Sequence, residues 1–398
     1  MNNEFYTLNE LTELLSTPED KISELSFVPS AEAIKQMLDI KVEFHDEAGT
    51  VKLYKAYRDF ILNFIENHVE SIVLNNIRER QKKIPNLVQD KSKMLAYWGG
   101  ELTPGCKYCL NGETSAFRSS IKCNLYCKFC YCYCVDVAKF NEIPIYNKNI
   151  YRIGNFYFNL QSLESALIQH HKEKTKALGW VYYEPMCEEN KLYPAMEIIA
   201  ENGYYQFLYT NGTKLTEDNL KKLHDSGLNE IRFNLAATNC ADNVVEKMAI
   251  ARKYFDYVCI ESPIFTEYYE IFKKKIDKIL NTGVTHIHFA ELQLTRPMIK
   301  YRTWDSEGAI YRHYMSYISP IKSRQLVYDI FDLAVSQNWH DVTLHDCSNE
   351  VKLYRGINVN NNLHNIAYQG MATLPLSFYV DAIQRYDIIS KMKKLLVG

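Results

Sequence analysis

The chain has 398 residues, 47% of them hydrophobic, with Gly 15, Pro 11 and a formal net charge of −2. This is the composition of a folded globular protein, long enough for one large α/β barrel and a further module, and it excludes a linker-rich or disordered chain. The near balance of charge leaves no electrostatic footprint for bulk nucleic-acid binding, so nucleic acid is not an expected partner.

Residues 1–98 read as a mainly helical N-terminal module. From Leu53 onward Leu53, Tyr57, Phe60, Ile61, Phe64 and Ile72 recur at helical spacing, while Lys55, Arg58, Asp59, Glu66 and Glu70 take the other side. That pattern predicts a helix with one packed and one solvated face. Residues 40–44 alternate as a short strand does. Residues 1–5 lack the basic segment and apolar core of a signal peptide, and no run approaches the length of a membrane span. Of the 11 cysteines, five fall between residues 123 and 134. Together these features predict a cytoplasmic protein with no membrane partner, whose cysteines are metal ligands rather than disulfides.

Cys106 and Cys109 form a C-x2-C pair ahead of a strand predicted over residues 115–121. Such a pair opens many zinc and iron–sulfur sites but needs a second half, for which Cys132 and Cys134 are the near candidates in sequence. Next come Cys123, Cys127 and Cys130 at C-x3-C-x2-C spacing. Three thiolates on one short loop suit three corners of a metal–sulfur cube and leave the fourth iron open to bind and activate a substrate or cofactor. Residues 139–160 form a long excursion after this loop.

Strand and helix then alternate. Strands are predicted over residues 179–183, 204–209, 230–235, 257–261, 286–291 and 341–345, with helices over 163–178 and 192–202. A further helix opens at Thr216 as N-cap, with Glu217 and Asp218 in its first turn, and closes at Gly227. Six or seven β/α units in a row predict an α/β fold, a partial parallel (β/α)6-type barrel over residues 99–347, with 348–398 as a C-terminal extension packing on it. Sites of such barrels gather at the C-terminal ends of the strands.

The cluster loop, with Phe129 just before its third cysteine, resembles that of the radical S-adenosylmethionine (radical SAM) superfamily. Glu184 and Pro185 end their strand as the superfamily's Gly-Gly-Glu-Pro motif does, with Tyr182 and Tyr183 in place of both glycines. Thr210, Asn211 and Gly212, followed by Thr213, look like its strand-end Thr-Asn-Gly-Thr turn. The resemblance covers roughly residues 115–347. It implies that Cys123, Cys127 and Cys130 ligate a [4Fe–4S] cluster and that Phe129, Glu184, Thr210, Asn211, Gly212, Arg232, Asn234 and Ile260 line the S-adenosylmethionine (SAM) site. Glu184 would hold the methionine amino group, Arg232 and Asn234 the ribose and carboxylate, and Ile260 the adenine. Glu291, Gln293, His345 and Asp346 are candidate substrate contacts.

The implied activity is that of an oxidoreductase: reductive cleavage of SAM to a 5′-deoxyadenosyl radical that abstracts hydrogen from a small-molecule or peptide substrate, with a low-potential donor such as flavodoxin or ferredoxin as partner. A glycyl-radical-enzyme activase and a zinc-binding interaction module are the alternatives. The stretch 302–317 and the tail 351–398 suit a lid and substrate wall. A seven-residue strand separates its ends by roughly 20 Å, which predicts that Cys106 and Cys109 lie near the barrel's bottom and that the protein carries one cluster.

Overall fold

The computed structural model describes residues 71–90, 95–130, 150–153, 156–170, 175–294, 298, 303–308, 310–313, 317–349 and 351–352. The helix expected from Leu53, the strand at 40–44, Cys132 and Cys134, most of the excursion after them and nearly all of the tail lie outside these residues. The chain divides into two units, one of residues 1–80, 294–322 and 373–398, the other of residues 81–293 and 323–372.

In chain order the elements are α1 (Ser71–Gln81), β1 (Val88–Asp90), β2 (Leu95–Trp98), α2 (Pro104–Leu110), β3 (Thr114–Arg118), β4 (Ile150–Ile153), β5 (Phe156–Asn159), α3 (Leu163–His170) and β6 (Ala177–Trp180). They continue with α4 (Glu189–Glu201), β7 (Tyr205–Thr210), α5 (Glu217–Asp225), β8 (Glu230–Phe233), α6 (Asp242–Ala251), β9 (Tyr257–Ile264), α7 (Thr266–Lys274), α8 (Ile276–Leu280) and β10 (His286–Glu291). Last come β11 (Ile310–His313), β12 (Tyr317–Pro320), α9 (Ile321–Ser336) and β13 (Thr343–Cys347). In the first unit β11 and β12 pair antiparallel as a hairpin.

The second unit is built on an 11-stranded sheet in the order β1-β2-β13-β10-β9-β8-β7-β6-β3-β4-β5. From β3 through β6, β7, β8, β9 and β10 to β13 every pairing is parallel, and β1, β2, β4 and β5 add antiparallel edges. The fold is thus the expected α/β class with a mostly parallel sheet.

Register and the two-residue alternation of strands decide which side chains meet. Tyr209 pairs with Arg232, Arg232 with Cys259, His288 with Glu261 and His288 with His345, so these line one face. The intervening Phe233, Ile260 and Phe289 take the other, helix-covered face, where Tyr268 and Phe272 of α7 meet Phe289 at ring separations of 6.2 and 5.1 Å.

Several strand ends differ from the sequence reading for local reasons. The strand expected through Tyr183 stops at Trp180, because Tyr182 and Tyr183 have φ of 75° and 56°, outside strand geometry. Asp341, at φ 58°, delays the last strand to Thr343. The strand expected over 115–121 ends at Arg118. Helix α5 begins as read: Thr216 and Asn219 form a reciprocal capping box, and Glu217 and Asp218 complement the helix dipole.

Candidate active site at the strand ends

The loop bearing Cys123, Cys127 and Cys130 is fixed by the ends of β6 and β7. The backbone N–H of Glu184 donates to the carbonyl of Lys122 at 3.1 Å, tying the loop to the turn after β6. Asn211, just past β7, donates from Nδ2 to Asn124 Oδ1 at 3.0 Å and lies 3.9 Å from Cys123 Sγ. Asn124 in turn donates to Thr213 Oγ1 at 2.7 Å. Within the loop the Cys130 N–H donates to the Cys127 carbonyl at 2.9 Å, and the Phe129 ring sits 5.7 Å from that of Phe265.

Glu184 is the pivot beneath this loop. Its side chain is fully buried. One carboxylate oxygen accepts from Thr210 Oγ1 at 2.9 Å and the Met186 N–H at 3.2 Å; the other accepts from the Asn211 N–H at 2.6 Å. Burial nevertheless pushes its carboxyl up to about 7, against the lowering effect of those bonds. Gly212 completes the turn at φ +73°, where an added Cβ would lie 2.7 Å from Val244 of α6. The two tyrosines that replace the glycine pair adopt positive φ all the same, and the Arg118 guanidinium lies over the Tyr182 ring at 4.3 Å.

Asn234 also belongs to this rim. Its N–H donates to the Thr210 carbonyl at 2.8 Å, and its side chain accepts from the Ala237 N–H at 3.3 Å to start a short 3-10 turn. Gln293 follows the end of β10 and is partly buried.

Other residues read from the sequence as rim contacts lie elsewhere. Arg232 points into the middle of the sheet's inner face: its guanidinium contacts Glu230 and Glu261, each at 2.6 Å, Tyr209 Oη at 2.9 Å and Cys106 Sγ at 3.6 Å. His345 lies in the same buried layer, with Nδ1 3.2 Å from Nδ1 of His288.

Ile260, expected to back the adenine, falls on the opposite face from Cys259 and Glu261 and packs toward the helices. Glu291 and Asp346 share that outer face, where Arg324 of α9 lies 3.6 Å from Glu291 and 2.5 Å from Asp346. Tyr328 also donates to Asp346, and Asn349 donates twice to Glu291. These two carboxylates anchor a helix, and the cause is strand alternation: a polar residue at a strand end faces the mouth only in one of two registers.

Two residues near the site escaped the sequence reading. Cys187, in the 3-10 turn after Glu184, donates from Sγ to Asn124 Oδ1 at 3.9 Å. Arg118 stands at the end of β3 beside the tyrosine pair. Only the proximity of Glu184 in sequence hinted at the first.

The three loop cysteines suit a cube of iron and sulfide. All are partly exposed and free of disulfides, and burial together with the neighbouring Cys130 and Cys123 pushes the Cys127 thiol up to about 12.

The sequence model of the Radical SAM superfamily matches residues 117–285. An uncharacterized protein of Methanocaldococcus jannaschii, MJ0804, is 24% identical over 188 residues, 46% of this chain and 56% of its own length, so the match spans little more than half of that relative. Among solved structures, Streptococcus suis SuiB bound to precursor peptide SuiA is similar at TM-score 0.42 and 12% identity, over 71% of this chain and 56% of that one. Methylornithine synthase (PylB) is similar at TM-score 0.37 and 13% identity, over 93% and 95% of the two chains. The cofactors of the superfamily are a [4Fe–4S] cluster and SAM. The superfamily match begins at the end of β3 and takes in the three-cysteine loop and the parallel strands β6 to β9.

Proposed function

We propose that this protein is a radical SAM enzyme in which Cys123, Cys127 and Cys130 hold a [4Fe–4S] cluster and which abstracts hydrogen from a small molecule or a peptide side chain. The observation that carries the reading is the docking of the three-cysteine loop onto the ends of β6 and β7, through Lys122 to Glu184 and Asn124 to Asn211. When bound, the cluster and SAM supply one-electron reductive cleavage of the sulfonium and a carbon radical for hydrogen abstraction. The electron comes from a low-potential donor such as flavodoxin or ferredoxin, which makes the protein an oxidoreductase.

This chain's residues do the positioning. Cys123, Cys127 and Cys130 would hold the cluster through their thiolates, and SAM would bind beside them. Glu184 acts as a positioning residue: its buried oxygens take the Asn211 N–H and the Thr210 hydroxyl and so set the turn that faces the cofactor. Thr210, Asn211, Gly212 and Asn234 form the rim around it, and Phe129, against Phe265, covers the loop's apolar side. Tyr182 and Tyr183, at positive φ, turn the chain just ahead of Glu184.

Anaerobic reconstitution with iron and sulfide tests the reading. About four irons per chain and 5′-deoxyadenosine formed from SAM under strong reductant are expected. Cys→Ala at 123, 127 or 130 should abolish both the brown colour and the product; product formation retained in any of the three would overturn the assignment.

A further inference from the structure

The cluster proposed above does not draw on the C-x2-C motif before β3, whose first cysteine is buried. Helix α2 starts with Thr103 as its cap and lies against the first residue of β8, where the Gly105 N–H and Thr103 Oγ1 donate to Glu230 at 3.3 and 3.1 Å. An added Cβ at Gly105 would lie 2.6 Å from Glu230, so the glycine lets the helix approach the sheet closely. The approach pushes Cys106 Sγ to 3.7 Å from His288 Nδ1, itself 3.2 Å from His345 Nδ1. All three residues are buried, and their potential ligand atoms lie within 4.8 Å of one another.

We propose that Cys106, His288 and His345 bind one transition-metal ion of the zinc class, separate from the cluster. A tetrahedral ion with the usual bond lengths to thiolate and imidazole holds sulfur and nitrogen about 3.5 Å apart and two nitrogens about 3.3 Å apart. Two edges of the triangle, at 3.7 and 3.2 Å, are near those lengths, and the third, from Cys106 to His345, is at most 4.8 Å.

Hydrogen bonding alone leaves one of these atoms unmet. His288 Nδ1 lies 3.2 Å from His345 Nδ1 and 3.7 Å from Cys106 Sγ, which also lies 4.0 Å from His288 Nε2 and accepts from Arg232 at 3.6 Å. His345 Nε2 is buried with no hydrogen-bond partner. A metal ion accepts all three donor atoms at once. The donor set, one thiolate and two imidazoles, selects zinc, cobalt or copper over magnesium or calcium. Cys132 and Cys134 are not needed: the second half of the C-x2-C site comes from two strands that lie far off in sequence.

Metal analysis of the intact protein tests this. With zinc in the growth medium, about one zinc per chain is expected, and zinc-edge X-ray absorption should show one sulfur near ~2.3 Å and two nitrogens near ~2.0–2.1 Å. Cys123→Ala should remove iron and leave the zinc, so the two assignments fail independently. His288→Asn and His345→Gln, each with unchanged circular dichroism, should cut zinc by at least tenfold; they serve even where Cys106→Ser does not fold. Wild-type protein without zinc, zinc retained in both histidine variants, or a Cys106-dependent second cluster with iron near eight per chain would each overturn the proposal.

Discussion

The mouth of the barrel and its middle layer hold their polar groups by different means. At the mouth the cysteines are partly exposed and many of the fixing contacts use the main chain, as in Glu184 to Asn211 and Lys122 to Glu184, with the partly buried Asn124 and Asn211 side chains beside them. In the middle layer Glu230, Arg232, Cys106, His288 and His345 are buried, and their contacts run from side chain to side chain between elements distant in sequence. A loop held partly by backbone keeps its shape with less dependence on any one side chain. A buried side-chain network is all-or-none, because every missing partner leaves a desolvated group behind.

The sharpest way to break this contrast is Arg232→Met. It leaves Glu230 and Glu261 buried or half-buried without their cation, and a loss of about 3–5 kcal/mol is expected in urea unfolding. Adding Glu230→Gln and Glu261→Gln should recover most of that loss. A cost below about 1 kcal/mol, the value of a surface pair, would show that the layer is not a coupled network.

Glu184 tests the mouth by pH. Its folded-state carboxyl is raised to about 7 from 4.5, so the protonated form is favoured in the fold. The associated stability is present in full below about 4.5 and is lost as pH rises through about 7, by an amount on the order of 3 kcal/mol. Glu184→Gln removes the titration. The stability of wild type relative to this variant should therefore fall across that window, measured by thermal unfolding at a series of pH values; a flat difference would mean that Glu184 stays ionised throughout. The same variant should weaken SAM binding while keeping the cluster's colour, since it disturbs the turn at Thr210 and Asn211 and not the cysteines.

The smallest expected effect is at the tyrosine pair. Positive φ costs a non-glycine residue of order 1 kcal/mol or more. Arg118 lies closer to Tyr182, at 4.3 Å, than to Tyr183, at 5.6 Å. Tyr183→Gly should therefore stabilise the protein by about 1 kcal/mol, and Tyr182→Gly should gain less because it also loses a cation–π contact. Destabilisation by both would mean that the rings are held by packing that outweighs the backbone strain.

Features carried by neighbouring residues were legible in the sequence. The C-x3-C-x2-C loop, the capped start of α5 at Thr216 and β10 at His286–Glu291 all rest on local spacing or local hydrogen bonds. So does the parallel class of the sheet, which follows from strand and helix alternating along the chain. Facing direction was not legible. Arg232, Ile260, Glu291, His345 and Asp346 all stand in strands, but register and alternation send Arg232 and His345 to the inner layer and Ile260, Glu291 and Asp346 to the helices. The meeting of Cys106 with His288 and His345, 182 positions apart for the first pair, was likewise decided only by the tertiary fold. The physical reason is common to both: a strand's neighbours, and the face each of its side chains presents to them, are set by pairing with segments distant in sequence, whereas a turn, a cap or a cysteine loop is closed by the few residues on either side of it.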